Sequence, residues 1–139
     1  MMRNGPILLG VASVMKFLFQ NDIAHRDVKP GNILLRLKED ERVDFAVLCD
    51  LGISRTIEAS GQSNLTYVGS DPWMAPEIIR DINKMKEGEI NDISEIYGHP
   101  IDVFGFGLVA QWLVTGNNPP ARHVKGIVNK HIVFIHLFS

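Results

Sequence analysis

The stretch 25–32 constrains this chain more than any other, because it places charged, polar and turn-forming residues at eight consecutive positions. It reads H-R-D-V-K-P-G-N and leads directly into the apolar run 33–35. Pro30 and Gly31 stiffen and bend the backbone between the charged residues and Asn32. The residue types alone are also consistent with an ordinary charged turn before a buried strand, since all of these residues are common in loops.

Three further segments have sequences that are as distinctive as that of 25–32. The segment 50–52 reads D-L-G and ends an apolar run that we interpret as a strand. The segment 69–77 reads G-S-D-P-W-M-A-P-E, and 102–107 reads D-V-F-G-F-G. The order and spacing of all four segments make an ordinary turn at 25–32 a poor explanation.

Taken together, the four segments resemble a protein kinase over roughly residues 7 to 120. The first is similar to the catalytic loop H-R-D-x-K-x-x-N, and the second to D-F-G with Leu in place of Phe. The third resembles the end of an activation segment, and the fourth the D-V-W-S-F-G start of the helix on which the large lobe is built. The resemblance implies a mainly α fold with a small β-hairpin, that of a protein-kinase C-terminal lobe.

The resemblance also implies the chemistry of individual residues. Asp27 would orient the substrate hydroxyl and accept its proton, while Lys29 would lie on the transferring phosphate. Asn32 and Asp50 would bind Mg²⁺, which dehydrates reluctantly and needs few protein ligands beside phosphate oxygens and water. ATP would be the phosphate donor. Leu34 would form the floor of its adenine pocket, although a lone Leu is equally a core residue.

A second group of residues would hold or regulate this site. Thr66 stands where the family often carries an activating phosphate, which Arg26 could bind; a solvated hydroxyl is an equally good interpretation. Ser70 resembles the hydroxyl residue that bonds the catalytic loop, and Asp102 would accept backbone N–H bonds from that loop. The other structural or regulatory positions that the motifs imply are His25, Gly52 and Glu77.

The implied function is that of a protein serine/threonine kinase acting on protein substrates. Lys29 favours a serine/threonine kinase, since tyrosine kinases usually lack that lysine. The sequence of 69–74 most resembles the tyrosine-kinase-like group of serine/threonine kinases. Only 24 residues precede His25, and they contain no G-x-G-x-x-G loop, V-A-I-K-type strand or glutamate to pair with its lysine. We therefore expect a large-lobe fragment, weak or inactive alone, unless a partner or longer isoform supplies the small lobe. A non-catalytic kinase-like binding module is the alternative.

Apolar spacing predicts how these segments are connected. A helix should begin at 4–6 and end at 21–22, and a hairpin formed by 33–37 and 43–48 should bring the two Mg²⁺ ligands to neighbouring ends. Arg80 to His99 is longer than the pattern requires, and its polar part, 81–89, indicates a surface loop. We assign 1–121 to the partial kinase domain and leave 122–139 as an unassigned apolar tail.

Composition limits the other functions that are open to this chain. With 14 basic and 16 acidic residues and no basic run, nucleic acid is not an expected partner. No apolar run is long enough to span a bilayer, and the single Cys49 agrees with a reducing, cytoplasmic location. The stretch 105–110 fits a dinucleotide fingerprint but lacks the preceding strand and the following acidic residue, so we reject an oxidoreductase.

Overall fold

Among the residues that it describes, the computed structural model has three α-helices, a short 3₁₀ helix (Pro30–Asn32) and two antiparallel pairs of strands. The residues that it describes are 4–51, 55–56, 72–89 and 98–120. The helices are α1 (Gly5–Gln20), α2 (Pro76–Lys86) and α3 (His99–Thr115). The strands are β1 (Ile23–Ala24), β2 (Ile33–Leu37), β3 (Val43–Leu48) and β4 (Arg55–Thr56), with β1 paired to β4 and β2 to β3.

Helix α1 lies where its apolar spacing predicts it. Pro6 occupies the first turn, where its missing N–H costs no hydrogen bond. The helix ends at Asn21, whose N–H bonds to the Leu18 carbonyl at 3.0 Å. The buried side chains recur every three or four residues and therefore share one face, which is packed into the main core: Ile7, Val11, Met15 and Leu18.

The hairpin of β2 and β3 also has the predicted bounds. Ile33 pairs with Leu48, and both side chains lie in the same core that α1 enters. Leu34 and Phe45 point to the opposite face of the hairpin, where both are exposed. The pairing brings the start of β2 and the end of β3 together, which is the edge that carries the site.

Helix α1 and strand β3 approach so closely that a side chain would not fit between them. A Cβ placed on Gly10 would lie 2.1 Å from the Ala46 carbonyl oxygen. Gly10 is therefore required for this contact, since the neighbouring atom belongs to the backbone and cannot rotate away.

Helix α3 runs antiparallel to α1, because opposite ends of the two helices meet. The His99 ring stacks on Phe19 with centroids 4.0 Å apart, and the Asn4 side-chain amide donates to the Leu113 carbonyl at 2.6 Å. The helix stops at Gly116, which adopts a left-handed φ of 70°. Part of its surface is exposed in the described structure, at Val103 and Val114.

The prediction of a surface loop at 81–89 is wrong for its first six residues. They belong to α2, which continues to Lys86 and is followed by Gly88 at a positive φ of 74°. Ile78 and Ile82 are spaced by one helical turn and bury the same face, and Asp81 is buried beside them. Across the described ranges 4–51, 72–89 and 98–120, none of the helices combines the length and apolar character needed to cross a membrane.

Gly10→Ala should destabilise the fold by about 1–3 kcal/mol or more, because the added methyl group must push α1 off β3. Gly5→Ala is the matched control, since its added Cβ meets nothing within 4 Å. The measurement is the urea unfolding midpoint of both variants. Equal midpoints would show that the helix and strand tolerate the extra carbon.

Candidate active site

The buried carboxylate of Asp102, in the first turn of α3, holds the start of the stretch 25–32. Its Oδ2 accepts the His25 N–H at 2.7 Å, and its Oδ1 accepts the Arg26 N–H at 2.7 Å. Only 1% of Asp102 is exposed. Arg26 has a φ of 73°, a conformation that L-residues with side chains rarely adopt. The two hydrogen bonds therefore fix a loop conformation that is intrinsically unfavourable.

The environment of Asp102 explains why both bonds are needed. Burial raises the pKa of Asp102, whereas the hydrogen bonds from the N–H groups of Arg26 and His25 act in the opposite direction. Burial thus disfavours the ionised carboxylate, and the two N–H donors offset part of that cost.

His25 connects this loop to the end of β3. Its ring Nδ1 accepts the Asp27 N–H at 3.3 Å, so the proton lies on Nε2, which donates to the Cys49 carbonyl at 2.9 Å. His25 is fully buried. The loop is therefore tied to the residue that directly precedes Asp50.

The carboxylate of Asp27 has one occupied oxygen and one unoccupied oxygen. Its Oδ2 lies 2.7 Å from the Lys29 ammonium nitrogen and accepts the Asn32 side-chain N–H at 3.0 Å. The same Asn32 amide also donates to the Asp27 carbonyl at 2.8 Å. Within the described part of the chain, Asp27 Oδ1 is buried and has no hydrogen-bond partner. No described group uses the acceptor capacity of that oxygen.

Asn32 and Asp50 lie at the same edge of the hairpin. The Cys49 N–H donates to the Asn32 backbone carbonyl at 2.8 Å, which places Asp50 one residue beyond this bond. Asp50 is exposed and has a φ of 66°. Because the Asn32 amide nitrogen is committed to Asp27, its amide oxygen is the atom that a cation could use.

A contact that sequence reasoning missed lies between α3 and the loop. A Cβ on Gly105 would lie 2.8 Å from the Val28 carbonyl oxygen. The signal was present in the sequence, since Gly105 stands where the D-V-W-S-F-G pattern has Ser. The backbone of α3 therefore approaches the loop directly between Asp27 and Lys29.

The remaining predicted site residues are more dispersed. Leu34, 38% exposed, lies on the outer face of the hairpin. Glu77 lies half-buried in the first turn of α2 and forms no ion pair with any residue that the structure describes. The positions of Gly52, Thr66 and Ser70 fall outside the described residues.

Cys49 is not activated as a nucleophile. Burial, followed by the charge of neighbouring Asp50, raises the pKa of the Cys49 thiol. The thiol form is therefore favoured over the reactive thiolate near neutral pH.

Comparison with known proteins identifies the family. The sequence model of the protein kinase domain family matches residues 4–137 of this chain. This range includes most of the apolar tail, 122–139, that the motifs leave unassigned. The chain therefore belongs to the protein kinase family.

Proteins similar to this chain are named as protein kinases, several of them as serine/threonine kinases. A probable serine/threonine-protein kinase of Dictyostelium discoideum is 34% identical over 112 residues, which cover 81% of this chain and 10% of that protein. Calcium/calmodulin-dependent protein kinase type I of Schizosaccharomyces pombe is 35% identical over 111 residues, or 79% of this chain and 29% of that protein. The chain thus spans from about a tenth to three tenths of these relatives.

Asp102→Asn should loosen the loop. The amide replaces one acceptor oxygen by a donor, which leaves one loop N–H unpaired at a cost of about 1–3 kcal/mol. Hydrogen exchange at the His25 and Arg26 amides should accelerate by about tenfold or more. Asp44→Asn is the control, because Asp44 pairs with Arg36 and Lys38 at the surface of the hairpin, away from the loop. Unchanged exchange at the two loop amides would contradict this role.

Proposed function

We propose that this chain provides the phosphate-transferring site of a protein serine/threonine kinase, which moves the γ-phosphate of ATP to a protein hydroxyl. The observation that carries the proposal is the asymmetry of Asp27. Lys29 and Asn32 hold Oδ2, whereas buried Oδ1 has no partner among the described residues. A substrate hydroxyl that donates to Oδ1 would satisfy the last acceptor of this carboxylate.

Asp27 acts as general base in this proposal. The hydroxyl oxygen attacks the γ-phosphorus, its proton passes to Asp27 Oδ1, and the bond between the γ-phosphorus and the bridging oxygen of ADP breaks. Lys29 supplies a positive charge within 2.7 Å of Asp27, so the same cation is close to the phosphate that reacts beside this carboxylate. Catalysis of this kind depends mostly on positioning and charge stabilisation.

The donors at the hairpin edge fit a magnesium ion with its nucleotide. Mg²⁺ prefers hard oxygen ligands, which the Asn32 amide oxygen and the Asp50 carboxylate provide. The ion would neutralise charge on the phosphates when bound. Leu34 offers an exposed apolar surface on the same hairpin and would underlie the adenine ring.

The preference for serine and threonine rests on two observations. Lys29 is a residue that tyrosine kinases usually lack at this position, and the Dictyostelium discoideum relative reported above is named a probable serine/threonine-protein kinase. The sequence of residues 69–74 supports assignment of this chain to the tyrosine-kinase-like group. A cytoplasmic location stays a prediction from the single cysteine.

The 139-residue chain alone should transfer little or no phosphate from radiolabelled Mg-ATP to a generic protein substrate. Residues 1–24 contain no glycine-rich loop or phosphate-anchoring lysine, and loss of one such stabilising group costs on the order of a hundred- to a thousand-fold in rate. Robust transfer that disappears in Asp27→Asn would contradict this and would mean that another residue replaces the lysine.

Fusion to a kinase small lobe then tests the function itself. Transfer should appear in the fusion and fall by at least about a hundredfold in Asp27→Asn, while nucleotide binding is retained. Asp44→Asn, at the hairpin surface, should leave the rate unchanged. A fusion that binds Mg-ATP but transfers nothing would favour the non-catalytic binding module.

Phosphorylation of Thr66 should raise the activity of the same fusion. A phosphate adds negative charge and acceptor oxygens, which the Arg26 guanidinium could hold so that the activation segment is ordered. Thr66→Ala and Arg26→Ala should each lower activity, and the double variant should be no worse than the lower single variant. Full activity in both single variants would remove this switch.

A further inference from the structure

The start of α3 contacts the end of α1 through a pair of stacked rings. His99 is the first residue of α3, and its ring lies on the Phe19 ring with centroids 4.0 Å apart and planes inclined by 18°. Phe19 belongs to the last turn of α1 and packs against the main core. Because ring pairs prefer specific arrangements, the stack restricts both the distance and the orientation of the two side chains.

Hydrogen bonding of the buried ring nitrogen does not explain the position of His99. Its Nε2 atom is buried and has no hydrogen-bond partner within the ranges that the structure describes. A buried polar atom without a partner is a cost to the fold, which other contacts of the ring must offset. Packing on Phe19, rather than a hydrogen bond of this nitrogen, therefore holds the His99 ring.

The stack is close, along the chain, to the hydrogen bonds that shape the proposed catalytic loop. Asp102 follows His99 by three residues, which places both on the same side of α3. His25 follows Phe19 by six residues, across a turn in which the Asp22 N–H donates to the Phe19 carbonyl at 3.2 Å. Two short segments of chain therefore join the stack to the hydrogen bonds that Asp102 accepts from the loop.

These contacts close a small ring. From Phe19 the chain passes through the turn and β1 to the loop, and two hydrogen bonds lead from the loop to Asp102. One turn of α3 leads back to His99, and the stack returns to Phe19. A site is held precisely when the residues that support it are themselves fixed by packing. The positions open to the Asp102 carboxylate therefore depend on the stack.

We propose that His99 is a positioning residue for phosphoryl transfer. Its stack on Phe19 fixes the start of α3, and thereby the Asp102 carboxylate that shapes the loop carrying Asp27. The part of this inference that concerns the reaction rests on the proposed kinase function, whereas the part that concerns the loop does not. A displacement of about 1 Å at a reacting group can cost on the order of a hundredfold in rate, so a contact far from the chemistry can still control it.

The first test is hydrogen exchange in the 139-residue chain, which requires no activity. His99→Ala removes the stack and should accelerate exchange at the His25 and Arg26 amides by at least about threefold. Asn4→Ala is the matched control, because it removes a contact between the same two helices at their other ends, where the Asn4 amide donates to the Leu113 carbonyl at 2.6 Å. Asn4→Ala should leave exchange at both loop amides unchanged.

Two further variants separate positioning from a general loss of stability. His99→Phe keeps a ring on Phe19 and should restore the exchange rates of the native chain. Phe19→Leu removes the other ring but keeps an apolar side chain, so it should accelerate the same two amides, and adding His99→Ala to it should accelerate them no further. Equal acceleration in Asn4→Ala and His99→Ala would overturn the proposal, as would native rates in both His99→Ala and Phe19→Leu.

The fusion to a kinase small lobe provides the second measurement. His99→Ala should lower kcat by about tenfold and leave KM for Mg-ATP unchanged, because the geometry of the loop is altered and nucleotide binding is not. His99→Phe should recover kcat. Native kcat in His99→Ala would overturn the positioning role. If the fusion transfers no phosphate even with native His99, the proposed function fails, and the exchange rates alone decide whether the stack fixes the loop.

Discussion

The interaction on which the site depends is the pair of hydrogen bonds that Asp102 accepts from the backbone of His25 and Arg26. They join segments that are 76 and 77 residues apart in the chain. Since a rigid helix carries the carboxylate, the position of α3 determines the shape of the loop. Gly105 makes this possible, because any side chain there would meet the Val28 carbonyl. The packing of α3 in the core therefore determines the geometry of the site.

His25 extends this order to the hairpin edge where we propose that a cation binds. One ring nitrogen bonds within the loop and the other reaches the Cys49 carbonyl, while the Cys49 N–H returns to Asn32. The proposed base and the proposed cation ligands are thus positioned before any ligand binds. Preorganised charge of this kind requires little rearrangement during reaction, which is the main way in which phosphoryl transfer is accelerated.

The sequence predicted the secondary-structure elements well where the apolar pattern and the turn-forming residues that flank it agree. The hairpin is an example, because two apolar runs flank a charged turn at 38–42, and both strands have the expected bounds. Helix α2 was missed because the polar residues 83–87 obscure a short apolar face at Ile78 and Ile82. The resemblance implied the backbone hydrogen bonds from the loop to Asp102, but not the other backbone contacts of the site. The link from His25 to Cys49 depends on tertiary packing, which no local pattern encodes.

Two non-glycine residues of the site, Arg26 and Asp50, have left-handed backbones with φ of 73° and 66°. Such a conformation costs an L-residue roughly 1–2 kcal/mol, a cost that glycine does not incur. Glycine at either position would relieve this strain, but it would also remove the guanidinium of Arg26 or the carboxylate of Asp50. The charged groups of the site are therefore held at a cost to the stability of the loops that carry them.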